Sequence, residues 1–282
     1  MLCAEPKTTP LISCLLVTAR NRFDHVKRSV KCFADQTYPN KELIVVNEGP
    51  REYQSQLDTW FAEMGRSDIR TVWLNGYYTL GALRNIAIGM SRGAIYCQWD
   101  DDDFCMPHRL ATQYAHLAKE GAKACFFSDQ LHYYFPTREL YWDNWKRYHC
   151  GGRLLYSVIP GTIMIHRDIN VRYPSSGNNA SAGEDSVFVE NLILKHGDKV
   201  TCLSDHGYIH MYSYHGNNQV YDLEHHLNIS RSRSQPREEL MKYRHQICDM
   251  LSYLGMPGQT RVMCRDGLAF VHQGYDGKLP QN

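Results

Sequence analysis

The chain has 282 residues, 43% of them hydrophobic, and no low-complexity tract, so it reads as a globular protein with room for one elaborate domain or a domain plus an appendage. A formal net charge of +1 gives no bulk electrostatic reason to expect a nucleic-acid or acidic partner. No run approaches the roughly 18 apolar residues of a membrane-spanning helix, and Met1 to Pro10 lacks a signal peptide's apolar stretch, which points to a cytoplasmic protein, with a peripheral place at the inner face of a membrane also open.

Leu11 to Val17 is a continuous apolar run of strand length ending in the polar turn Thr18-Ala19-Arg20-Asn21-Arg22, after which Val26, Val30 and Phe33 recur at helical spacing. A second strand, Glu42 to Val46, ends in Asn47-Glu48-Gly49-Pro50, and a helix with Tyr53, Leu57, Trp60, Phe61 and Met64 on one face follows. Arg70 to Leu74 reads as the third strand, Leu83, Ile86, Ala87 and Met90 stripe the next helix, and Ala94 to Trp99 is the fourth strand. Such alternation predicts a parallel sheet wound with right-handed crossovers. Gly89-Met90-Ser91-Arg92-Gly93 matches the nucleophile elbow of hydrolases, but that motif needs a strand before its serine and a helix after it, the reverse of the order here.

Four aspartates, Asp100 to Asp103, close this series at the carboxyl end of a strand, where open α/β sheets bind ligands. So much negative charge at the mouth of a core calls for a cation. In an extended segment Asp100 and Asp102 point the same way, toward one hard ion such as Mg²⁺ or Mn²⁺. A solvated acidic turn is the competing reading of an Asp run. A calcium hand fits poorly, because Phe104 and Cys105 stand where its loop wants an acidic or amide residue and then a glycine.

After Pro107, Leu110, Tyr114, Leu117 and Ala118 mark a helix and Ala124 to Ser128 a strand. From His132 to Tyr156 the chain is rich in aromatic residues, among them Tyr133, Tyr134, Phe135, Tyr141, Trp142 and Trp145; a core wall and a carbohydrate- or partner-facing surface are weighted equally. Pro160 to Ile165 predicts a strand, and a polar loop from Ser175 to Ala182 leads to Gly183-Glu184-Asp185 at the start of a helix carrying Val187, Phe188 and Leu192. Two acids there are favoured by the helix dipole even as simple caps. Lys199 to Leu203 is a further strand; His206 and His210 stand four apart, but within strand-like alternation, so they are not read as a helical zinc pair. Beyond Val220 the composition turns polar and basic, with a helix through Leu240, Tyr243, Ile247, Leu251 and Leu254. None of the ten cysteines stands at C-x-x-C spacing, and Cys14, Cys97, Cys125 and Cys202 fall inside strands, so reduced buried thiols are expected and the sequons at Asn179 and Asn228 carry no glycan.

Five motifs in order resemble those of the family 2 glycosyltransferases, from about Pro10 to Asn218. Thr18 to Arg22 is similar to the family's first nucleotide-binding loop, Leu83-Arg84-Asn85 to its Ala-Arg-Asn, and Trp99 to Pro107 to its D-x-D segment. Gly183-Glu184-Asp185 matches the acceptor-side acidic motif and Tyr212 to Asn218 the late histidine motif. The resemblance implies a GT-A fold: an α/β, Rossmann-like, mixed but mostly parallel sheet flanked by helices over residues 1–219, with a helical C-terminal extension over 220–282. It implies inverting transfer of a sugar from a nucleoside-diphosphate sugar, a UDP-sugar first, to an acceptor hydroxyl, most commonly on a cell-surface glycan, with a protein or a modified nucleic-acid base as other acceptors. Thr18, Arg20, Arg22, Glu48, Arg84, Asp100 and Asp101 would contact the nucleotide; Asp102 and His215 would hold Mn²⁺ or Mg²⁺; and Asp185, with Glu184 beside it, would take the acceptor's proton. The chain departs from the pattern at Asn47-Glu48, where the family usually carries two aspartates.

Two other functions compete. A nucleotidyltransferase would also use an acidic metal site beside a strand, but it commonly shows a glycine-rich loop after its first strand, and Thr18 to Arg22 has no glycine. A sugar-binding module without catalysis would not need Asp100, Asp102, Asp185 and His215 together. The C-terminal extension offers a surface through which two copies could form a homo-oligomer.

Overall fold

The strand and helix periods of the first hundred residues fold as their spacing dictates. A computed structural model describes residues 9–19, 22–148, 157–216 and 222–274. In it β1 (Ile12–Thr18), β2 (Lys41–Asn47), β3 (Ile69–Trp73) and β4 (Ile95–Gln98) are parallel neighbours. β1, β2 and β4 are buried almost throughout because helices cover both faces of the sheet, which is why they read as unbroken apolar runs. On one face α1 (Phe23–Ala34), α2 (Arg51–Met64) and α4 (Arg109–Lys119) contribute Val26, Phe33, Leu57 and Leu110 to the core. On the other, α3 (Leu80–Met90) and α5 (Glu184–His196) pack Leu83, Ala87, Phe188 and Leu192 against Leu15, Ile44 and Val46.

The first sheet is completed by β6 (Ala124–Phe127), β9 (Ile159–His166) and β10 (Val200–Leu203), in the order β10-β6-β9-β4-β1-β2-β3. β9 alone runs against its neighbours, so the sheet is mixed but mostly parallel.

A second sheet of six strands joins β5 (Phe104–Cys105), β7 (Asp129–Tyr134), β8 (Glu139–Asn144) and β11 (His210–Tyr214) to β12 (Gln259–Cys264) and β13 (Gly267–Gln273). It absorbs the aromatic segment: Tyr133, Tyr134, Tyr141 and Trp142 are buried, which makes them a core wall and not a sugar-facing surface. Tyr156 lies outside the described residues.

After Asp222 the chain forms α6 (Leu223–Arg233), α7 (Arg237–Lys242) and α8 (Arg244–Tyr253), then a hairpin that the sequence reading left out. Its signal was present, since Thr260, Val262 and Cys264 alternate inward and Asp266-Gly267 follows, with Gly267 at φ 108° closing the turn. β12 pairs with β8, and α8 buries Ile247, Met250 and Leu251 in the main core, so these residues share one sheet and one core with the preceding chain.

Beneath α6 lies a buried cluster that mimics a hydrolytic triad. Asp143 Oδ2 lies 2.6 Å from His132 Nδ1 and accepts from Ser230 Oγ at 2.8 Å. Ser230 approaches that same ring nitrogen, at 3.2 Å, so serine and aspartate compete for one edge of the imidazole instead of lying at opposite edges. Tyr134 OH joins Ser230 at 2.8 Å, and the cluster ties α6 to the sheet.

Candidate functional site

The carboxyl ends of β1, β2 and β4 converge, and the aspartate run follows β4 directly. The chain bends at Asp101 and Asp102, which ends strand alternation and gives Asp100 different partners from Asp101 and Asp102. The expectation that an extended run aims Asp100 and Asp102 to one side is therefore corrected. Asp100 turns to Arg84 Nη1 at 3.2 Å and to Gln98 Nε2 at 2.8 Å. Arg22, the residue before α1, grips Asp101 with both Nε and Nη2 at 2.7 Å and donates to Asp102 as well.

His215 comes to this point from 113 residues away. β11 runs antiparallel to β5, with Met211 opposite Phe104, and past that pairing Ser213 donates through Oγ to the Asp102 carbonyl at 2.5 Å and through its amide to Asp103 Oδ1 at 3.3 Å. The next turn of chain leaves His215 Nε2 3.1 Å from Asp102 Oδ2. Asp103 is buried and lies 3.4 Å from His210 Nε2.

Burial and the Asp102 charge push Asp101 upward against the pull of Arg22. Burial acts on Asp102 too, but the hydrogen bond with His215 and the Arg22 charge outweigh it and hold Asp102 below the usual carboxylate range. His25, whose ring centre is 4.3 Å from that of His215, is pushed down to about 4 by burial and by its neighbour.

Among the described residues no group of three or more His, Cys, Asp or Glu is arranged to hold a metal. Asp102 and His215 nevertheless fit a six-coordinate ion. Two adjacent ligands about 2.1 Å from such an ion stand about 3.0 Å apart, and these two atoms are separated by 3.1 Å. Mg²⁺ and Mn²⁺ suit a donor set this small, because phosphate oxygens and water supply the remaining positions.

Thr18 ends β1 with its Oγ1 3.3 Å from Tyr53 OH, while the Glu48 amide donates to the Thr18 carbonyl at 3.3 Å, so these two sequence-named residues meet at the carboxyl ends of β1 and β2. Asn47 instead closes its own loop: its Oδ1 accepts from Gly49 N at 2.7 Å and its amide donates to Gln54. Arg20 lies outside the described residues.

At the other end of the acidic centre, Gly183 takes a left-handed φ of 82° and starts α5. Glu184 is buried and accepts from Arg84 Nε at 3.0 Å, whereas Asp185 is partly exposed and accepts from the Ser186 amide at 2.7 Å. Burial raises the Glu184 carboxyl, and Arg84 opposes the rise. Sequence reasoning missed Tyr53, His25, Gln98 and Tyr173, which support the named residues; no motif marks them, because each arrives by packing.

A family model described as glycosyl transferase family 2 matches residues 14–173. The chain belongs to this family. A glycosyltransferase of Escherichia coli K12, WcaA, named for colanic acid biosynthesis, is 32% identical over 112 residues, 39% of this chain and 39% of its own. The chain spans 33% to 39% of the length of the curated relatives it matches. Among solved structures, S. aureus TarS 1–349 in complex with UDP superposes with a TM-score of 0.58 at 14% identity, covering 85% of this chain and 65% of TarS. The mannosyltransferase PcManGT of Pyrobaculum calidifontis, in complex with GDP-Man and Mn²⁺, gives 0.54 at 13% identity, covering 89% and 72%. At such identities the likeness is one of fold, and that fold is GT-A. The family 2 match ends at Tyr173, before Glu184, Asp185 and His215. Among the described residues no helix is long and apolar enough to cross a membrane.

Proposed function

We propose that this chain transfers a sugar from a nucleoside-diphosphate sugar, a UDP-sugar first, to a hydroxyl of a glycan acceptor with inversion at the anomeric carbon. The observation that carries this reading is the meeting of Asp102 and His215 at 3.1 Å beside Arg22, at the strand ends where α/β sheets take nucleotides. Asp102 and His215 would hold Mn²⁺ or Mg²⁺, which when bound supplies positive charge to the leaving diphosphate. Arg22 adds a guanidinium able to follow the same phosphates. Thr18 and Glu48 border the space for base and ribose, and Asp100 and Asp101 wall it from below.

The acceptor hydroxyl loses its proton as the new bond forms, and Asp185 takes it. Its carboxylate is partly exposed and stands in the first turn of α5, within reach of an incoming hydroxyl. Attack from the face opposite the leaving diphosphate gives inversion. The binding of nucleotide sugars by fold neighbours, UDP-GlcNAc by TarS and GDP-Man by PcManGT, and the glycan-related name of the Escherichia coli relative support the donor class and a polysaccharide acceptor. The eight described cysteines are all free thiols, six of them buried, which supports a reducing cytoplasmic setting.

Incubating the protein with Mn²⁺ and a panel of nucleotide sugars, with and without oligosaccharide acceptors, tests this reading. UDP release that rises with a suitable acceptor and stops with a chelator is the expected result; no release from any nucleotide sugar, or release indifferent to chelation, would refute it.

A further inference from the structure

One helix carries the whole segment that leads to Asp185. Thr79, at the start of α3, donates through Oγ1 to the Ser175 carbonyl at 3.0 Å, and the Gly81 amide donates to the Ala180 carbonyl at 2.8 Å. A Cβ at Gly81 would stand 1.9 Å from the Pro174 carbonyl oxygen, so the two backbones are in direct contact there. Asn85 exchanges two hydrogen bonds with the Tyr173 backbone, at 2.9 and 3.0 Å. The last of these ties is Arg84, whose Nε reaches Glu184 at 3.0 Å while Nη1 reaches Asp100 at 3.2 Å. Its guanidinium also lies over the Tyr173 ring, 5.6 Å from the centroid, and Tyr173 OH donates to Gln98, which in turn holds Asp100.

We infer that Glu184 is a positioning residue, which acts through Arg84 to fix the first turn of α5, and with it Asp185, against the Asp100 side of the donor pocket. The inference rests on the reading of Asp185 as the base. Glu184 is 3% exposed and already accepts from Arg84, which leaves an incoming hydroxyl little access to it, whereas its neighbour Asp185 is partly exposed. The fork geometry of Arg84 matters because two carboxylates from different elements take different nitrogens of one rigid plane, so moving either carboxylate reorients the other's partner. A displacement of the base by about 1 Å is enough to slow transfer on the order of 10²-fold.

The test compares E184A, E184Q, E184D and R84K by transfer kcat, donor KM and calorimetric affinity for UDP with Mn²⁺. Gln keeps an oxygen for the Arg84 Nε–H, so E184Q should stay within about 3-fold of wild type in kcat, while E184A and E184D, which withdraw that oxygen, should fall by roughly 10- to 100-fold with UDP affinity little changed. R84K, whose single ammonium cannot replace the fork, should match the kcat loss of E184A, and adding E184A to R84K should cost little more. An E184Q variant as slow as E184A would show that Glu184 moves the proton itself and would overturn the inference, as would a silent E184A or additive losses. Melting temperatures accompany each measurement, and should E184A not fold, E184D takes its place. Failure of the underlying reading looks different: wild type then shows no transfer at all, or D185N transfers as well as wild type.

Discussion

Two arginines organise the acidic centre, and their surroundings differ. Arg22 precedes a helix, has a side chain 22% exposed, and holds Asp101 and Asp102 just past the end of β4. Arg84 projects from the middle of a helix, has a side chain 11% exposed, and joins Asp100 after β4 to the buried Glu184 at the start of α5. An ion pair near water is exchanged at low cost, because solvent and incoming ions replace what the arginine loses; a buried pair resists, since each freed charge would face an apolar interior. On the proposed reading the same residue types serve different ends: Arg22 would neutralise two carboxylates until a cation and a diphosphate replace it, and Arg84 would keep two pieces of backbone in register.

The strongest way to break this contrast is to remove the carboxylate that Arg22 and His215 share. Asp102→Ala should abolish transfer and eliminate metal-dependent binding of UDP; metal-dependent binding of unchanged affinity in that variant would show that the ion sits elsewhere. Next comes the residue that the Arg84 side supports. Asp185→Asn should leave UDP affinity nearly intact and lower turnover at saturating donor and acceptor by a factor on the order of 10² to 10⁴. Because Asn caps a helix about as well as Asp, near wild-type turnover would reduce Asp185 to a cap.

A third change sharpens the contrast directly. Arg22→Ala should lower the stability of the metal-free protein by about 1.5 to 3 kcal/mol, the range of hydrogen bonds to charged groups, and added Mn²⁺ should recover more stability than it adds to wild type, since metal and guanidinium neutralise the same carboxylates. Chemical denaturation with and without Mn²⁺ reads this, and an equal metal effect in both proteins would count against the exchange. The smallest effect is expected at Glu48, on the rim. Glu48→Ala should weaken UDP binding by roughly 1 to 3 kcal/mol and Glu48→Asp by less, and a calorimetric dissociation constant unchanged by the alanine would take Glu48 out of the nucleotide site.

What could be read from the chain depended on how local the cause was. β1 to β4 and the helices between them follow from periods of apolar residues within a dozen positions, and they appear close to where those periods place them. The G-x-S-x-G match was discounted on element order alone, and Ser91 does lie just past the end of α3. The aromatic segment was ambiguous because a tyrosine ring suits a core and a sugar surface equally, and only the cover supplied by α6 and the second sheet made it interior. The hairpin at Asp266-Gly267 carried its own turn signal and was local enough to have been found.

The α/β class, the strand that delivers the aspartate run and the family-like order of the motifs are legible in the chain, because each rests on near neighbours along it. Tertiary structure alone decided which charges meet. A bend at Asp101 and Asp102 gives Asp100 and Asp102 different partners, the antiparallel seating of β11 on β5 carries His215 to Asp102 across 113 residues, and the packing of α3 against the 173–184 segment gives Glu184 to Arg84 across 100. Partners so distant along the chain leave no periodic trace, since what selects them is the burial of strands and helices that happen to carry them.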